Sequence, residues 1–164
     1  MQPEMKSFLQ EGLTQYAKAK STISAFEEQV ALLLRAAVAG REKQRWSPLR
    51  SVELGRPSPG GGSGADGYWI SMYITGKSQR HGDAAIDCGM WWNSNAPDIS
   101  ETIIYADFYD KPKCVVSFSW HGNKKGIHSF ERWGRTHLCL PVRKSLEVAD
   151  PLNRLLDALL EQLR

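Results

Sequence analysis

Two carboxylates and a lysine gathered on one strand can hold a divalent ion against a phosphate and direct water at it. Pro97-Asp98 followed by Asp110-Lys111-Pro112-Lys113 supplies those residue types. The spacing is D-x-x-K, however, and Pro112 puts the lysine in a turn where it shares no strand face with Asp110. The segment therefore reads as an acidic loop followed by a basic turn. His81, His121, His128 and His137 have no partner at zinc-site spacing, and the close pair His81/Asp83 lies among turn residues. No nucleophile elbow, Walker loop or dinucleotide fingerprint occurs, and Gly60 to Gly64 lacks the lysine of a phosphate loop. No metal, no cofactor and no catalytic set is expected. Cys88, Cys114 and Cys139 form no C-x-x-C pair and read as reduced, buried thiols.

Charge order is more informative. Asp83 to Asp110 holds six acids and no Lys or Arg, whereas Lys111 to Lys144 holds eight basic residues against Glu131 alone. Strands that pair across these two segments would neutralise each other; left unpaired, they would make a bipolar surface that orients a partner. Aromatic residues give a second signal, because five of the six Trp lie between Trp69 and Trp133. Alternation at Ile70/Met72/Ile74 and Ile86/Cys88/Met90 sends Trp69, Tyr73 and Trp91 to the opposite side of a sheet. Such residues need cover from the connector of residues 41–67, from a second subunit in a homodimer, or from a partner. The expected partner surface is Tyr73, Asp87, Trp91 and Asp107, with Trp120, His121 and Lys124 at its edge.

The elements that must position these residues follow from periodicity. Leu9, Leu13, Tyr16, Ile23, Phe26, Val30, Leu33 and Ala37 recur at helical spacing, which predicts one long helix, or two nearly collinear ones, over residues 5–39 and ending at Gly40. Arg41 to Arg56 reads as a basic connector, and Gly55 to Gly67 as a flexible loop with nothing to bury. Residues 68–75, 85–93, 102–110 and 113–120 alternate as strands, followed by 127–133 and 136–140 around a Gly134-Arg135 turn. Asp150-Pro151 predicts the start of a terminal helix with a leucine stripe from Leu152 to Leu163. The fold class expected is α+β, a single domain in which an antiparallel meander of about five to six strands (68–140) carries the N-terminal helical segment (1–40) and the C-terminal helix (150–164) on one face.

A hydrophobic fraction of 41% and a charged fraction of 24% exclude disorder and fibrous classes. The longest apolar run, Val30 to Ala39, is interrupted by Arg35 and falls well short of a membrane span. The first residues show no export pattern, so a cytoplasmic protein is expected. The functional expectation is a non-enzymatic protein-binding module, of the immunity-protein kind that neutralises a toxin by occlusion. The competing reading is a nucleic-acid binder or small hydrolase that uses the His81/Asp83 loop or a Lys124/Lys125 hairpin, although a net charge of +3 is small for a phosphate binder.

Overall fold

The computed structural model describes residues 3–61, 67–93, 98–109, 126–142 and 147–164. The apolar repeat at the N-terminus winds into a single helix, α1 (Pro3–Ala39), which closes with the Gly40 amide donating to the Ala36 carbonyl. A short 3-10 turn, Lys43–Trp46, leads into β1 (Leu49–Leu54) and β2 (Ser58–Gly61). Both pair with β3 (Gly67–Ser78), β2 along its first half and β1 along its second. The expectation of a structureless stretch from residue 41 to residue 67 is thereby corrected: a strand edge needs only backbone groups from its neighbour, and Ser58–Gly61 supplies them without any large side chain.

β4 (Gly82–Asn93), β5 (Ile103–Phe108), β6 (His128–Arg132) and β7 (Arg135–Pro141) complete an antiparallel sheet of order β1-β3-β4-β5-β7-β6. The hairpin enters with β7 beside β5, so the neighbour order departs from a strict meander and leaves β6 at the edge. The strand expected over residues 113–120 lies outside the described residues, as do Asp110 to Lys113 and Cys114. Asp98 is exposed and caps the 3-10 turn Ile99–Glu101 by accepting from the Ser100 amide.

Register fixes what each face carries. Ile70, Met90, Ile104 and Leu140 make one cross-strand row on the helix side, and Met72, Cys88, Ala106 and Leu138 make the next. These rows are buried under α2 (Ala149–Glu161), whose Leu152, Leu155, Leu156 and Leu159 face the sheet. The helix begins at Val148 with no side-chain cap, so Asp150 and Pro151 belong to its first turn instead of preceding it. Val30, Leu34 and Val38 of α1 close the core, and the Arg41 and Arg45 guanidiniums grip Asp157 of α2. α1 packs on the body only from Phe26 onward, where that ring meets Trp92 edge-on at 5.5 Å. Residues 4–26 are exposed, which corrects the expectation that the whole helix lies on the sheet. No helix among the described residues is long and apolar enough to cross a membrane.

Candidate functional site

The sheet face turned away from α2 holds the residues of opposite parity. Trp69 pairs with Trp91, Tyr73 with Asp87, Asp87 with Asp107, and Phe130 with His137. Glycines make room for the indoles: a Cβ on Gly60 would come 2.3 Å from Trp69 Nε1, and one on Gly67 would come 2.5 Å from the Trp91 ring. The β2 segment is thus a floor under Trp69, and only glycine fits there.

Trp133 and Gly134 connect β6 to β7 with φ of 51° and 70°, the two positive values of a type I′ turn. The turn expected at Gly134-Arg135 sits one residue earlier, which moves Arg135 from the loop onto the strand. Trp133 folds back until its ring is 5.7 Å from that of Trp69. β3 and β7 are three strand spacings apart, about 14 Å on a flat sheet, a span that the two indoles close by leaning toward one another. Trp69, Trp91, Tyr105, Phe130, Arg132, Trp133 and His137 line the hollow. It offers about 20 Å³, room for a water molecule and too little for a metabolite.

Beneath the rings lies a charged cluster. Arg135 Nε is 2.5 Å from Asp107 Oδ2, and an Arg135 terminal nitrogen is 3.9 Å from Asp87 Oδ2. The same guanidinium lies 5.0 Å from the Tyr109 ring centre and 5.7 Å from that of Trp133. Asp107 is 0% exposed and Asp87 6%. Burial raises Asp107 to about 7, helped by the facing Asp87 charge and opposed by Arg135. Burial likewise raises Asp87 to about 6, against Arg135 and a hydrogen bond with Ser71. Two carboxylates sharing one guanidinium titrate as a pair, and one carboxyl retains its proton near neutrality.

His137 is buried, stacked on Phe130 at 4.8 Å, and burial followed by the neighbouring arginines lowers it to about 4. Its ring is therefore neutral at pH 7. Nδ1 is 3.2 Å from the Arg135 carbonyl, which assigns the hydrogen to that nitrogen and turns the Nε2 lone pair toward Asp107 Oδ2 at 3.6 Å.

Tyr73, Asp87, Trp91 and Asp107 do share one face, but the role expected for the acids is corrected. Asp87 and Asp107 are buried instead of being offered to a basic partner, and the pair together holds Arg135 in place. Tyr73 is exposed and meets Tyr109 edge-on at 5.0 Å, while Trp91 lines the hollow. Trp120, His121, Lys124 and Lys125 lie outside the described residues. His81 and Asp83 sit at the β3–β4 turn, at the end of the hairpin opposite to the Trp69/Trp91 pair. Among the described residues no cluster of three His, Cys, Asp or Glu side chains could hold a metal ion.

Arg135, His137, Phe130 and Trp133 are site residues absent from the expected partner surface, although His137 is weighed among the metal-ligand candidates. The signal that could have found them is the parity of β7, which places Arg135, His137 and Cys139 on one face once the turn is set at Trp133-Gly134. Comparison with family models, with curated proteins and with solved structures found no match, so the site stands on its geometry.

Proposed function

We propose that the chain is a non-enzymatic protein-binding module whose docking surface is the aromatic sheet face, with Trp133 as its anchor. The observation that carries this reading is the state of Trp133. It is 58% exposed and holds a left-handed backbone conformation that disfavours a bulky residue by about 1–2 kcal/mol. Its ring is nevertheless braced by Arg132 at 4.3 Å and by Arg135 beneath. An exposed, rigidly backed tryptophan beside arginine has the composition of an interface hot spot. With Asp87 and Asp107 matched by Arg135 inside, the exposed Trp133 ring favours an aromatic or apolar patch on the partner. An immunity-type role, in which this face occludes a toxin's catalytic cleft, is the finer form of the proposal.

The test is parallel affinity capture from the native host with wild-type and Trp133→Ala baits. A stoichiometric protein held by the first and lost by the second supports the reading. The stack of Arg132 on Trp133 also favours a second one, base stacking of single-stranded nucleic acid. Salt-sensitive quenching of Trp fluorescence by an oligonucleotide would support that reading instead.

A further inference from the structure

The N-terminal part of α1 leaves the body of the protein with its apolar face uncovered. From Met5 to Ala37, positions alternating by four and three are all apolar or small, the seam of a two-helix coiled coil. Its last turns, at Val30 and Ala37, are buried in the core, while Leu9, Tyr16 and Ile23 are exposed and Phe26, 44% exposed, meets Trp92 of the body edge-on at 5.5 Å. We propose that two copies of this chain associate through this seam as an antiparallel helix pair, with the two-fold axis between Tyr16 and Ala19.

The seam itself selects the occupant and its direction. Gly12 lies in the helix interior, where glycine is unfavourable, and a Cβ there would meet nothing within 4 Å. Nothing among the described residues requires a glycine at this position. Antiparallel pairing about the stated axis sets Gly12 against Ile23 of the second copy, Ala19 against Tyr16, and Leu9 against Phe26. Each of these exposed layers then joins a small or aliphatic side chain to a bulky one, as interlocking cores require. A parallel pair in register would stack Gly12 on Gly12 and Ala19 on Ala19, and would leave gaps between the bulky layers. Charge agrees, because the same axis brings Lys6, flanking the seam, beside Glu27 of the second copy, and does so twice by symmetry. The exposed part of the seam, Met5 to Phe26, is roughly 33 Å long.

The test is sedimentation equilibrium of the full chain over a concentration series, with three variants. The wild type is expected at twice its 18.4 kDa chain mass. Ile23→Asp is expected at the monomer mass with its thermal transition retained, since the side chain is exposed; Tyr16→Glu provides the same readout at a second exposed position. Lys6→Glu should weaken association several-fold, and adding Glu27→Lys should restore it. A monomer at every concentration overturns the proposal, as does a dimer indifferent to both Ile23→Asp and Tyr16→Glu. Failure of the charge exchange to restore association overturns the antiparallel register. A monomer whose α1 instead binds lipid vesicles or a foreign protein overturns the choice of occupant.

Discussion

Asp87 and Asp107 stand directly opposite one another on β4 and β5, buried, with the Arg135 guanidinium between them and the aromatic layer. Replacing Arg135 by Ala leaves this pair with no counter-charge. Breaking a buried ion pair from one side costs about 3–5 kcal/mol. The loss, measured by chemical denaturation, should be larger at pH 8 than at pH 5, where the carboxyls can take up protons. Asp107→Asn added to Arg135→Ala should recover part of it.

The pair also sets the pH dependence of stability. Asp87 and Asp107 bind protons more tightly in the folded protein, at about 6 and about 7, than in the unfolded chain. Their contribution is full below pH 4 and is lost as pH rises through 6 and 7. His137, lowered to about 4, works in the opposite sense: its contribution is present above pH 6.5 and is lost as pH falls through 4. Two groups against one predict that this cluster lowers stability as pH rises from 4 to 7. In Asp87→Asn/Asp107→Asn the His137 contribution remains alone, and the difference profile should reverse sign. A double variant with the wild-type pH profile would contradict the assignment.

Much of this site was legible in the sequence, and the part that was not has local causes. Alternation alone assigned Ile70, Met72 and Ile74 to the core and Trp69, Tyr73 and Trp91 to the other face. Burial of the acids could not be read that way, because it depends on which strand lies beside β5. The hairpin shift of one residue exchanged Arg135 between loop and strand, and a register error of one residue inverts every side chain. The Gly-rich segment looked inert because its role is to leave space for Trp69, and an absent side chain carries no pattern of its own. Periodicity in α1 identified a helix with an apolar face, but the same repeat serves packing on the body and packing on another helix.

Residues 4–26 of α1 are exposed, so deleting residues 1–22 should leave the body folded. A truncation that stops at residue 22 keeps Ser24 and Glu27, which can then cap the shortened helix as a capping box. The thermal midpoint is expected to stay within a few degrees when compared at equal oligomeric state, whereas Leu34→Ala should cost about 2–5 kcal/mol.

Trp133→Asn separates binding from stability. Asparagine tolerates the left-handed turn position better than tryptophan, which offsets the lost ring contacts with Trp69 and Arg132. Unfolding free energy should change by less than about 1 kcal/mol while binding is lost. Denaturation and binding measured on the same preparation check both parts.

The most direct measurement of the central claim is the affinity of the captured protein partner for wild-type chain and for Trp133→Ala, determined by calorimetry at neutral pH. A hot-spot anchor predicts a loss of at least about 2 kcal/mol, roughly thirtyfold in the dissociation constant, with the variant still folded. An unchanged dissociation constant would place the docking surface elsewhere and contradict the account.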